Sequence, residues 1–147
     1  MYNIVNDNEK WCNEWKQQGW ISTYFLDNRY IAFRTDALDE LFPTTKADKT
    51  DVHGWVCYYC FERFPGPTQA FLHFHAERFD KDTSIRYKKV NCNAFRKNNR
   101  TDWRFHRLQS WNIEKYQKDD LKSTLEYIIL DVIPKFEKQV KTILERE

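Results

Sequence analysis

Glycine and proline are scarce in this sequence: 147 residues carry three glycines and four prolines. That is too few for a long flexible linker, so a single globular domain over 1–147 is the expected organisation. It also leaves no glycine-rich loop to cradle phosphates, and no G-x-S-x-G turn for a serine nucleophile occurs. No stretch approaches the ~20 apolar residues of a membrane span. No apolar run follows Met1 of the kind a signal peptide needs. The four cysteines, Cys12, Cys57, Cys60 and Cys92, are therefore expected as free thiols in a reducing, cytoplasmic setting rather than as two disulfides.

What the chain does have is aromatic mass. Aromatics make up 17% of it, and each can bury roughly 150–250 Å². A chain of this length can bury about two thirds of its unfolded surface, so a globule is expected despite many charges. Formal net charge is only +2, but it is unevenly spread. From Ser84 to Arg107 stand Arg86, Lys88, Lys89, Arg96, Lys97, Arg100, Arg104 and Arg107 against the single acid Asp102. The segment carries +7 and the remainder −5. Such asymmetry points to an anionic partner, or to pairing of the segment with the rest of its own chain.

Periodicity outlines the elements. Trp11 and Trp15, at i and i+4 in "NEKWCNEWKQQ", share one face of a helix over 8–18 that Gly19 should stop. Strands are expected at 20–26 and 29–35, turning at Asp27-Asn28 with positive φ. "DALDELF" reads as a short helix ended by Pro43, and 44–51 as a loop. "GWVCYYCFERF" and "TQAFLHFHAERF" form a second hairpin about Pro65-Gly66, which suits a type II turn. Apolar residues on both faces of that hairpin suggest central strands covered on both sides. "SIRYKKVNC" reads as a strand, "RKNNRTD" as a loop, and "DWRFHRLQSW" as a strand or short helix. After an N-cap at Asp119-Asp120, apolar residues recur at helical spacing from Leu121 to Leu144. Pro134 inside that run should kink or split it. This stripe is expected to pack in the core, with a homodimer through the C-terminal helix as the alternative. The fold class is thus α+β: an antiparallel or mixed sheet of four to six strands, an N-terminal helix, and a long C-terminal helix packed on it.

Candidate chemistries were tested against their spacing. Cys57-x2-Cys60-x12-His73 matches the first half of a zinc-finger pattern, but His73-x-His75 is too short for the second. On strands, Cys57 and Cys60 also point to opposite faces while His73 and His75 share one. His73, His75 and Glu77, at i, i+2 and i+4, could hold an open catalytic metal, although no third histidine stands nearby. Cys92 among cations could pair with His106 or His53 as a nucleophile. The order helix, strands, helix loosely resembles a restriction-type nuclease core. That family needs an acid on one strand and E-x-K on the next to hold Mg²⁺. Asp36 could be the acid, but the later strand offers Glu62-Arg63-Phe64, and Glu14-Trp15-Lys16 lies before the strands. The motif is not met.

No catalytic constellation survives, and no cofactor is expected. We read a small non-enzymatic binding protein that uses the aromatic-interleaved segment 86–107 to hold nucleic acid or a nucleotide. The site residues are Arg86, Lys88, Lys89, Arg96, Lys97, Arg100, Trp103, Arg104 and Arg107. An acidic protein surface would suit the same cations. The alternative is a protein–protein inhibitor or adaptor, of phage or mobile-element type, acting on a nucleic-acid-handling defence enzyme. A metal-dependent hydrolase, or an inactive nuclease-like fold, is the second alternative.

Overall fold

The computed structural model describes residues 4–43, 54–62, 68–93 and 105–146. Five strands form one antiparallel meander in the order β1-β2-β3-β4-β5. They are β1 (Thr23–Leu26), β2 (Tyr30–Arg34), β3 (Cys57–Glu62), β4 (Gln69–His75) and β5 (Phe105–Asn112). Helices α1 (Ile4–Gln17), α2 (Asp36–Leu41), α3 (Lys81–Asn93), α4 (Leu121–Tyr127) and α5 (Ile133–Glu145) complete it. This is the expected α+β architecture. Among the described residues no helix is long and apolar enough to cross a membrane.

Local chemistry explains most boundaries. The N–H of Gly19 bonds to the Lys16 carbonyl at 3.0 Å and that of Trp20 to Trp15 at 2.9 Å, closing α1 in a Schellman motif. Gly19 takes the left-handed φ of +77° that this motif requires. The first hairpin differs from expectation. Its turn falls on Asn28-Arg29, one residue late, with Asp27 N–H bonded to the Tyr30 carbonyl. No non-glycine residue has positive φ among the described residues. The Asp27 carboxylate accepts from Arg29 N–H instead, so a side chain supplies the turn that a left-handed backbone would have made. Pro65-Gly66 and the expected loop at 44–51 lie outside the described residues.

The largest departure is α3, where a strand was expected. Asp80 caps it, accepting from Thr83 N–H at 2.7 Å. Its buried side chains Thr83, Tyr87 and Val90 recur at helical spacing. The cap precedes the basic segment and the inward stripe is narrow, so the strong polarity of 81–93 hides the period. The uncertain stretch after it is strand β5 from Phe105.

At the C-terminus Asp120 caps α4 through Ser123 N–H at 2.7 Å. The break expected at Pro134 takes the form of a wide turn, Ile128–Val132, in which Ile133 N–H reaches back to the Ile128 carbonyl. Pro134 offers no N–H and its ring would collide with the carbonyl four residues before it. One extra residue per turn accommodates both effects, so the helix runs on.

The sheet is buried on both faces. On one, Phe33, Tyr59, Leu72 and Phe74 meet Trp15, Tyr87, Ile133, Phe136 and Val140 of the helices. Each such apolar side chain contributes roughly 1.5–3 kcal/mol. The apolar stripe of α5 is thus core, and its outward side carries Lys135, Lys138 and Lys141. On the other face Ala32, Trp55, Tyr58, Cys60 and Phe71 form a second, smaller cluster. The central strand β3 is buried from Cys57 to Phe61, as two-sided cover requires.

Candidate functional site

Arg96, Lys97, Arg100, Trp103 and Arg104 lie outside the described residues. Arg86, Lys88 and Lys89 stand on α3, and Arg107 on β5. A strand would have put Arg86 and Lys88 on one face and Lys89 on the other. The helix regroups them: Arg86 and Lys89, three apart, share a flank, and Lys88 points elsewhere.

That flank faces the ends of two other helices. The Arg86 guanidinium donates to the Leu41 carbonyl at 2.7 Å, at the C-terminus of α2. The Lys89 ammonium donates to the Leu144 carbonyl at 3.2 Å and to that of Arg146, at the C-terminus of α5. Helix C-termini leave carbonyls without intrahelical partners and carry partial negative charge, so both cations sit where the backbone calls for them. Arg107 lies 3.7 Å from Glu62 and stacks 3.9 Å over the Phe71 ring. Three of the four described candidate cations therefore make contacts within the fold. Lys88 is exposed, with no hydrogen bond or ion pair among the described residues.

The metal candidates fare differently. His73 and His75 share the smaller-cluster face with Tyr58, but β4 ends at His75 and Glu77 lies in the following 3-10 turn. Glu77 thus does not extend the i, i+2 row. His73 stacks on Tyr58 at 5.5 Å, and His75 Nε2 lies 3.3 Å from the Tyr58 hydroxyl. Burial, helped by neighbouring His75 and Arg107, pushes the His73 pKa down to about 3 and keeps its imidazole neutral. Among the described residues no three His, Cys, Asp or Glu side chains are grouped to hold a metal. Cys57 and Cys60 fall in opposite clusters, as alternation required.

The proposed thiol–imidazole pair does not form with His106. That ring is buried against Phe79 and Tyr87, and neither nitrogen has a hydrogen-bond partner among the described residues. Cys92 is exposed on α3, and His53 lies outside the described residues.

Sequence reasoning missed two buried polar networks. Arg34 is 2% exposed. It donates to Asp39 at 2.5 Å, to the Cys57 carbonyl at 2.7 Å and to the Phe42 carbonyl at 2.8 Å. Glu137 of α5 accepts from the Thr35 hydroxyl and, at 2.9 Å, from the Tyr59 hydroxyl. Thr35 also caps α2 through Leu38 N–H at 3.0 Å. Burial pushes the Glu137 carboxyl above its ordinary pKa against the opposing pull of its two hydroxyl partners. It pushes the Cys57 thiol up to about 11, which keeps that sulfur protonated and unreactive. These groups tie β2, α2, β3 and α5 together. The signal available was an acid on the apolar stripe, between Phe136 and Val140.

A cavity of about 30 Å³ opens between α1, α4 and the sheet, lined by Asn8, Ile31, Phe61, Leu121 and Leu125 among others. It has room for about two waters, far short of the ~300 Å³ of an ordinary small-molecule site. Comparison with protein-family models, with curated proteins and with solved structures finds no match. A functional reading therefore rests on this chain's own residues.

Proposed function

We propose that this chain is a non-enzymatic binding protein that holds nucleic acid, or a nucleotide, through segment 86–107 and the outward side of α3. The observation that carries the reading is the segregation of charge, +7 over Ser84–Arg107 against −5 elsewhere. A polyanion that releases counterions on meeting Lys and Arg is the partner such a segment favours. Lys88, and Lys81 at the first position of α3, support it as exposed cations with no ion pair among the described residues. Arg86, Lys89 and Arg107 would contribute less than their charge suggests, because they already hold α2, α5 and the sheet.

The test is anisotropy of labelled oligonucleotides over a series of salt concentrations. Binding should weaken steeply with salt, and changing Arg96, Lys97, Arg100 and Arg104 together to Gln should lower both affinity and salt slope. Unchanged affinity in that variant, or no salt-dependent binding to any polyanion, ends the proposal. A stoichiometric protein partner that survives nuclease treatment would favour the inhibitor or adaptor instead.

A further inference from the structure

We infer that the nucleic acid is single-stranded and that it lies along the outward ridge of α3, an inference that rests on the reading above. Thr83, Tyr87 and Val90 face the core, and Arg86 and Lys89 reach sideways to the carbonyl ends of α2 and α5. On the side turned away from the core stand Lys81, Ile85, Lys88 and Cys92, all exposed and spaced i, i+4, i+7 and i+11. They form one stripe on the helix surface. Ile85 is 56% exposed and, with Leu130, one of two large apolar side chains so exposed among the described residues. Lys81 and Lys88 bracket it about 10 Å apart along the helix axis.

A cation, an apolar side chain and a second cation in line fit a ligand that presents phosphates and apolar faces together. An unpaired strand does so, since its bases are open to contact beside the backbone. A duplex offers phosphates at its surface and keeps base faces stacked inside. Pressing Ile85 against duplex phosphates would desolvate them without return. The ridge is also held in place before binding, because Arg86 and Lys89 fasten α3 at two points. Less ordering is then needed when the strand docks. Asp82 and the capping Asp80 are exposed acids beside this ridge, and they oppose a polyanion.

The experiment uses the full chain with a labelled oligothymidylate of about 20 nucleotides, longer than a typical single-strand site, and a duplex of equal length. The single strand should bind more tightly. Ile85→Ser should weaken it roughly fivefold, the scale of losing partly buried apolar surface, and leave the duplex unchanged. Lys81→Gln with Lys88→Gln should lower the salt slope by about 1.4, at ~0.7 per phosphate contact on a single strand. Asp82→Asn should strengthen binding. All four positions are exposed, and thermal melts of each variant check that the fold is kept. If duplex and single strand bind equally and Ile85→Ser changes neither, the inference fails while nucleic-acid binding stands. If neither nucleic acid binds, the inference and nucleic-acid binding fall together. Ile85-dependent binding of polyglutamate without oligonucleotide binding would replace the strand by an acidic protein surface.

Discussion

Replacing Glu137 by Leu should destabilise the fold by about 2 kcal/mol, and the loss should be shared with Tyr59. Tyr59 is buried and its hydroxyl donates to Glu137 at 2.9 Å. Without the carboxylate that hydroxyl is orphaned, at a cost of about 1–3 kcal/mol. Thr35 loses the acceptor for its own proton but keeps its cap to Leu38 N–H. Relief of the buried carboxyl's desolvation offsets part of the sum. With a urea m-value of about 2 kcal/mol/M, the midpoint moves by about 1 M. The double-mutant cycle is sharper. Tyr59→Phe should cost about 1–2 kcal/mol in the wild type and should instead restore stability in Glu137→Leu, because there it removes a buried hydroxyl that is already unpaired. The pH dependence has a definite sign. The folded-state pKa of Glu137 is raised above its ordinary 4.5, so the folded protein holds the proton more tightly than the unfolded chain. The associated stability is fully present below the unfolded value and is lost as pH rises through the folded one, at no more than about 1.4 kcal/mol per pH unit. Wild type should therefore lose stability relative to Glu137→Gln over that window. Equal Tyr59→Phe costs in both backgrounds, or a wild-type advantage that grows with pH, would refute the reasoning.

Gly19→Ala should cost roughly 1–2 kcal/mol, the penalty of a left-handed backbone for an L side chain. A Cβ there meets nothing within 4 Å, so the loss is conformational, and a loss near zero by denaturant melts would mean the turn re-forms with another φ. Under native conditions a thiol reagent should modify Cys92 quickly and the other three cysteines only on unfolding. Cys12, Cys57 and Cys60 are buried, and burial raises their thiol pKa values, that of Cys12 to about 12. Rapid titration of more than one thiol would show that the sheet or α1 opens far more readily than this packing implies.

How much of this was legible follows from the range of each interaction. The second hairpin, the separation of Cys57 from Cys60, the cap at Asp120 and the helix from Leu121 all rest on periods and neighbours within a few residues. They could be read directly. The first hairpin was right in outline and one residue out at its turn, because Asn28 and Arg29 accept right-handed turn geometry once Asp27 lends its carboxylate. Helix α3 was misread because its inward residues, Thr83, Tyr87 and Val90, are few among many charges.

The basic segment shows where local reading stops. Its charge could be counted from composition, but the use of that charge could not. Arg86 and Lys89 meet backbone carbonyls 45 and 55 residues away in the chain. Those acceptors are neutral, so no tally of acids against bases contains them, and they exist only because α2 and α5 end beside α3. The same holds for Glu137, whose hydroxyl partners lie 102 and 78 residues off. Period and composition dictate which elements form and which side of each is apolar. Packing dictates which orphan carbonyls and hydroxyls come within ~3 Å of a buried or flanking charge, and therefore which cations, here Lys88 and Lys81, remain turned to solvent.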